Sequence, residues 1–184
     1  RAAAQGMSRR SANWAANFYD GWTNAGGNGA AMRIQPHVYA APDGDESYLD
    51  DVIRNSVVTH GHPRALVGAV LGAVTLARAL QGRAPRIDEF RALLATTEEA
   101  FEAFVQVPEL ASFWRPRWES TTNRNLQDAW RETLWEIADM FDAVNEFVRA
   151  TENVTDPVSS HGRSAYHALT RRLRLDEDSD RGSG

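Results

Sequence analysis

The stretch THGHPRALVGAVLGAVTLARALQG, residues 59–82, decides what kind of fold this sequence can form. Pro63 suits the first position of a helix and Gly82 the position just past its end, which predicts a helix from residue 63 to about residue 80. Alanine recurs there at every fourth residue, and Gly68 and Gly72 lie beside that row. Because each interior glycine costs about 0.5–1 kcal/mol relative to alanine, close packing against another backbone is the expected compensation. The stretch therefore predicts the central helix of an all-α bundle.

The rest of the sequence is also typical of helices, and no convincing alternation of apolar and polar residues predicts a strand. The clearest helix steps its apolar residues by three and four from about residue 124 to 150. Ser47 and Asp88 are suitable caps for two of the others. Pro36 and the APDGDES segment predict one loop, and residues 107–123 predict another. Further helices are predicted over residues 1–24, 48–59, 88–105 and 160–173.

Composition is ordinary for a soluble globular domain, with 42 % hydrophobic and 24 % charged residues in 184. The net charge of −5 argues against a nucleic-acid partner. The longest apolar stretch, residues 65–77, is shorter than the ~20 residues of a membrane helix, so no membrane partner is expected. The absence of cysteine excludes disulfide and thiolate chemistry. A cytoplasmic location is the expectation.

The segment AGGNGAAMRIQPH, residues 25–37, combines a bare backbone with a single arginine, Arg33. One interpretation is a loop that lets an anion or ribose approach the main chain, since glycine has no Cβ to keep a ligand away. Arg33 would then pair with the ligand or brace the loop from behind. The other interpretation is a tight turn, with Arg33 in an internal salt bridge. The glycine spacing fits neither a dinucleotide-binding fingerprint nor a Walker A loop.

The segment VVTHGHPRALVGA, residues 57–69, places His60 and His62 where one helix ends and the next begins. These histidines would hydrogen-bond a ligand hydroxyl or phosphate at the junction. Alternatively, Thr59 and His62 cap the helices and His60 is buried and hydrogen-bonded. Two imidazoles alone make a poor metal site.

Together, GGNGAAMRIQP and THGHPRALVGAVLGA resemble the ADP-ribosylglycohydrolase family, which includes the dinitrogenase reductase-activating glycohydrolases. The resemblance is strong over about residues 20 to 80. It implies a compact orthogonal helical bundle of that family's type, present here only in part, and a cleft for ADP-ribose. It also implies that the glycine loop lies along the diphosphate and proximal ribose, that Met32 and Arg33 support the loop, and that His60 reaches the ligand. The substrate-binding residues so implied are Ala25, Gly26, Gly27, Asn28, Gly29, Ala30, Met32, Arg33, Thr59 and His60.

The family uses two magnesium ions held by acidic motifs, and this sequence departs from those motifs. The paired Asp50 and Asp51 follow the glycine loop instead of preceding it and are interpreted as a solvated helix face. The segment DEDS, with Asp176, Asp178 and Ser179, imitates the second motif only loosely. Residues 1–175 are therefore expected to be the central part of one domain, and residues 176–184 an acidic tail or linker. No metal ligand and no catalytic residue is assigned.

Two further segments each have two interpretations. In FWRPRW, residues 113–118, Trp114 or Trp118 would stack an adenine together with an arginine, or both would close the bundle. The basic segment RSAYHALTRRLRL, residues 163–175, would meet an acidic partner or pack as a surface helix. The second interpretation is preferred for both.

The resemblance implies a Mg-dependent enzyme in the full-length protein. That enzyme would hydrolyse the glycosidic bond of an ADP-ribosylated protein or small molecule, and this chain would supply the ADP-ribose-binding loop. Two alternatives remain open from the sequence. One is a non-catalytic ADP-ribose-binding module, and the other is a crystallin-like structural protein.

Overall fold

The computed structural model describes residues 21–41, 47–83, 85–86, 89–154 and 159–173 of the chain. Within these ranges every regular element is helical, as the sequence predicted. Short turns of 3₁₀ and π helix, Ala100–Glu102 and Leu110–Trp114, interrupt the α-helices. In chain order the α-helices are α1 (Gly29–Arg33), α2 (Gln35–Ala40), α3 (Tyr48–Val57), α4 (Pro63–Leu80), α5 (Phe90–Glu99), α6 (Ala103–Gln106), α7 (Arg115–Thr122), α8 (Leu126–Thr151) and α9 (Ser160–Arg172).

Helix α4 lies at the centre and packs against α1, α2, α3, α5 and α8. Its beginning and end are those that the sequence predicted. The imidazole Nδ1 of His62 caps the first turn by accepting from the Arg64 amide at 3.1 Å, and Gly82 follows the last turn with φ of 70°. In the described ranges α4 is also the one helix long and apolar enough to cross a membrane. Its buried face against five neighbours is that of a core helix.

The glycines of α4 correct one expectation. Alanines of the predicted row, Ala65, Ala69 and Ala73, are indeed buried. A Cβ added to Gly68 or Gly72, however, would meet nothing within 4 Å. The predicted close backbone contact at these glycines is wrong, because both lie on the open side of the helix.

The second half of the core is aromatic and lies between α5 and α8. Trp130 of α8 is 1 % exposed, and its ring centroid lies 5.4 Å from that of Phe101. Its indole nitrogen donates to the carbonyl of Thr97 at 3.2 Å. The amide oxygen of Asn125 caps α8 by accepting from the Asp128 amide at 3.1 Å. The hydrogen bond from Trp130 to Thr97 joins the long helix to α5.

Several predicted boundaries need correction. Residues 107–123 are largely helical rather than a loop, with Trp118 buried at 3 % exposure, which favours the bundle-closing interpretation of that tryptophan. Pro36 occupies the first turn of α2, where its missing N–H is harmless. Ser47 precedes α3 but makes no side-chain cap hydrogen bond. The predicted helix over residues 1–24 falls mostly outside the described residues, as does Asp88.

Helix α9 packs against α8, as the surface-helix interpretation of the basic segment predicted. Arg172 donates to Asp139 at 2.9 Å and to Glu146 at 2.5 Å, both on α8. At least one arginine of this segment is therefore directed towards the bundle.

Candidate functional site

Trp22 joins the glycine loop, residues 25–30, to the junction between α3 and α4, residues 59–62, which we call the Thr–His junction. Its side chain is 2 % exposed, and its indole nitrogen donates to the carbonyl of Val57 at 2.7 Å. Its own carbonyl accepts from the amides of Ala25 at 3.1 Å and Gly61 at 2.9 Å. One residue therefore holds the start of the loop and the middle of the junction against each other.

The loop and the junction touch at two glycines. A Cβ placed on Gly29 would lie 3.3 Å from Cε1 and Nε2 of His60. A Cβ on Gly26 would lie 3.4 Å from Cγ of His62. Two segments separated by about thirty residues of sequence thus form one surface, on which the glycines leave the imidazole edge of His60 close to bare main chain.

Arg33 braces the loop from behind. Its Nε donates to the side-chain oxygen of Asn55 at 2.6 Å, and its Nη2 donates to the Asn55 carbonyl at 2.5 Å. The partner is a neutral amide on α3, so the salt-bridge interpretation is not what the structure has. Burial lowers the pKa of Arg33 from its usual value.

The carboxyl end of α3 organises these contacts. The last carbonyls of a helix have no partner within it and need donors from elsewhere. Here the Asn55 carbonyl accepts from Arg33 and the Val57 carbonyl from Trp22. The carbonyl of Ser56 accepts from the amides of Thr59 at 3.2 Å and His60 at 3.0 Å. The end of α3 is thereby satisfied by residues from both segments of the site.

His60 is half-buried, and its Nδ1 lies 2.8 Å from the hydroxyl of Thr59. Burial lowers its pKa, and the positive charge of Arg33 lowers it further. The lowered pKa favours the neutral form of His60. The Thr59 contact leaves Nε2 directed to the Gly29 side, where a neutral imidazole can donate or accept one hydrogen bond depending on its tautomer.

The other predicted site residues differ in their burial. Ala25 and Ala30 are buried, Gly27 is half-buried, and the side chain of Asn28 is exposed. Met32 is 69 % exposed. The support for the loop that the resemblance assigned to Met32 and Arg33 thus comes from Arg33, because the Met32 side chain is directed into solvent.

The neutral histidines make folding depend on pH. Burial lowers the pKa of His62 as well, and the nearby Arg64 adds to this. Both groups bind protons more readily in the unfolded chain, so stability is full above about pH 6.5 and falls as the pH drops below it. We expect the melting temperature to fall as the pH is lowered from about 6.5 to about 5.5. The fall should be smaller in His60→Gln but unchanged in His167→Gln, an exposed position on α9.

Calorimetric scans across this pH range measure the effect. Equal pH dependence in the wild type and His60→Gln would contradict the assignment of a lowered pKa to His60.

The described residues do not fit a magnesium site. Among them, no group of three histidine or carboxylate side chains is close enough to hold a metal ion. Asp50 and Asp51 are exposed in the first turn of α3, in agreement with the solvated-face interpretation. The DEDS segment, with Asp176, Asp178 and Ser179, lies outside the described residues.

Sequence reasoning missed three residues of this site: Trp22, Asn55 and Gly61. Trp22 falls within the helix predicted over residues 1–24, and no motif singles it out. Gly61, between the two histidines, was a usable signal, because glycine at a junction often marks a close approach. Asn55 gave no signal, since its partner Arg33 lies on another helix.

The fold and the site together define a class: helical proteins in which a glycine loop packs beside a Thr–His junction. A profile of the ADP-ribosylglycohydrolase family matches residues 1–180, and the chain belongs to that family. Membership implies a glycohydrolase that acts on ADP-ribosylated substrates in general. Searches of curated proteins and of solved structures returned no match.

Proposed function

We propose that this chain supplies the ADP-ribose-binding surface of a glycohydrolase that releases ADP-ribose from a modified protein or small molecule. The glycine loop, residues 25–30, would lie along the diphosphate and the proximal ribose. The observation that carries the proposal is the position of His60 beside Gly29, where an added Cβ would lie 3.3 Å from Cε1 and Nε2 of the imidazole. It places bare backbone and an imidazole nitrogen on one surface.

The groups on this surface suit the two chemically different parts of ADP-ribose. A ribose hydroxyl can both donate and accept, which matches the neutral imidazole of His60 and the exposed amide of Asn28. The diphosphate is anionic and needs close amides or a nearby cation. Arg33 provides a fixed positive charge behind the loop, and its two contacts with Asn55 hold it there before any ligand binds.

Magnesium enters the proposal only through the family. The described residues do not assemble the carboxylates that a hard divalent cation prefers. What these residues can do is bind and orient. Thr59 orients His60, Arg33 holds the loop, and Trp22 holds the loop against the junction.

The test is calorimetric titration of the chain with ADP-ribose, using Gly29→Val as the blocking variant. A branched side chain at residue 29 would occupy the space beside Nε2 of His60. We expect the affinity for ADP-ribose to fall at least about tenfold, which corresponds to about 1.4 kcal/mol. The control is Gly72→Val, which adds the same side chain where a Cβ meets nothing within 4 Å. It should bind as the wild type does.

The same samples are assayed with and without Mg²⁺ for release of ADP-ribose from ADP-ribosylated arginine. Release that requires Mg²⁺ would support the enzymatic half of the proposal. Binding without release would favour the non-catalytic binding module instead. If ADP-ribose does not bind to the wild-type chain at all, the binding surface itself is refuted.

A further inference from the structure

A groove runs along the face shared by α5 and α8, in the half of the bundle that the candidate site does not use. It consists of two cavities of about 250 Å³ and 660 Å³. Glu98 and Arg131 line both cavities, and their ion pair at 3.4 Å crosses the groove between them. We call this surface the α5–α8 groove.

The walls of the α5–α8 groove are strongly acidic. Arg131 is the one basic residue in the lining of the two cavities. Glu98 pairs with it, and Glu132 pairs with Arg124. The lining carboxylates are Glu98, Glu99, Glu102, Asp128 and Glu132. The charges of Glu99, Glu102 and Asp128 are matched by no cation of the described residues.

Further along α8 the carboxylates are paired with arginines from other helices, at Glu136, Asp139, Asp142 and Glu146. Along α8 each carboxylate from Glu132 to Glu146 is paired with an arginine, whereas Asp128 at the groove forms no ion pair with a described residue. A cation from outside the chain would complete the pattern.

Trp135 adds an apolar anchor to the same wall. It lines the larger cavity and is 72 % exposed, although tryptophan is usually well buried. An indole face beside carboxylates suits a guanidinium, which can stack on the ring while its N–H groups reach the acids.

We propose that the α5–α8 groove docks an arginine-bearing segment of a partner protein. The guanidinium would stack on Trp135, and further basic side chains would meet Glu99, Glu102 and Asp128. The docking surface does not depend on the chain binding ADP-ribose.

The experiment measures the fluorescence anisotropy of a short labelled peptide of alternating arginine and serine, mixed with the full chain without ADP-ribose. We expect saturable binding that weakens as salt is raised from low to physiological concentration. The variant Glu99→Gln/Glu102→Gln/Asp128→Asn should weaken binding about tenfold, since each exposed pair contributes a factor of about two to three. Its control is Asp50→Asn/Asp51→Asn/Glu152→Gln, which removes three exposed carboxylates outside the groove. This control should bind as the wild type does.

A second pair of variants tests the aromatic anchor. Trp135→Ala should weaken peptide binding about two- to fivefold, which is the range for an exposed cation–π contact. Met140→Ala removes another exposed apolar side chain of α8 that does not line either cavity and should change nothing. Because the Trp135 side chain is exposed, the melting temperature of the Trp135→Ala variant should also stay close to that of the wild type.

Three results would overturn the proposal. The first is equal loss of binding in the groove variant and its control. The second is equally tight binding of a peptide in which citrulline or glutamate replaces arginine. The third is a concentration-dependent dimer, seen by light scattering, that Trp135→Ala abolishes, because the groove would then be occupied by a second copy of the chain.

Discussion

Replacing Gly61 with alanine should destabilise the protein by about 2–3 kcal/mol and lower its melting temperature by about 5–10 °C. A Cβ on this residue would lie 2.7 Å from two ring atoms of Trp22 and 2.9 Å from a third. Distances this short do not occur in folded proteins, so one of the two groups must move. The measurement is thermal unfolding of the variant beside the wild type.

Trp22 cannot move without cost. Its indole nitrogen is bonded to the Val57 carbonyl, and its ring centroid lies 5.2 Å from that of Trp114. Displacing the ring would break that bond and open the contact with Trp114. It would also disturb the carbonyl that accepts from Ala25 and Gly61. The loss should therefore appear as lower stability and as a weaker hold on the glycine loop.

Gly68→Ala is the matched control, because it adds the same methyl group to a glycine of the neighbouring helix. Nothing lies within 4 Å of its added Cβ, and the backbone there is helical. This variant should be more stable than the wild type by about 0.5–1 kcal/mol. If Gly61→Ala instead matches the wild type, the packing of Trp22 on the junction is not as described.

The sequence predicted α4 well because the signals for its two ends are local. Pro63 and Gly82 each act through their own backbone, and both lie where the pattern placed them. Which side of the helix would be covered was not local information. Gly68 and Gly72 carry no apolar side chain that must be buried, so periodicity could not assign them to the core or the surface.

The candidate site likewise combines local motifs, which the sequence shows, with contacts between distant residues, which it does not. The glycine loop and the Thr–His junction were visible as motifs, and the family resemblance linked them. That Gly29 meets His60, and that Arg33 meets Asn55, are contacts between residues far apart in the chain. The prediction of a loop over residues 107–123 was wrong for another reason. Their prolines suggested a loop, but Pro116 lies in the first turn of α7, where a helix tolerates it.

Arg33→Ala should cost about 2–4 kcal/mol, because it removes two hydrogen bonds from a charged donor. It also leaves the Asn55 carbonyl at the end of α3 without its donor. Arg33→Lys keeps the charge but cannot donate from two nitrogens in a fixed fork, so it should recover less than half of the loss. Urea unfolding of both variants measures these differences.

Arg54→Ala separates the geometry of the Arg33 contact from the mere loss of an arginine. Arg54 belongs to the same part of the fold, but its ion pair with Glu109 at 3.1 Å is solvent-exposed. Removing it should cost only about 0–1 kcal/mol. If Arg33→Lys were as stable as the wild type, positive charge alone would account for the role of Arg33. If instead lysine fails where charge is kept, the bidentate contact with Asn55 is what holds the glycine loop against α3. ADP-ribose affinity should then fall in Arg33→Lys as well, because the loop would no longer be fixed beside His60.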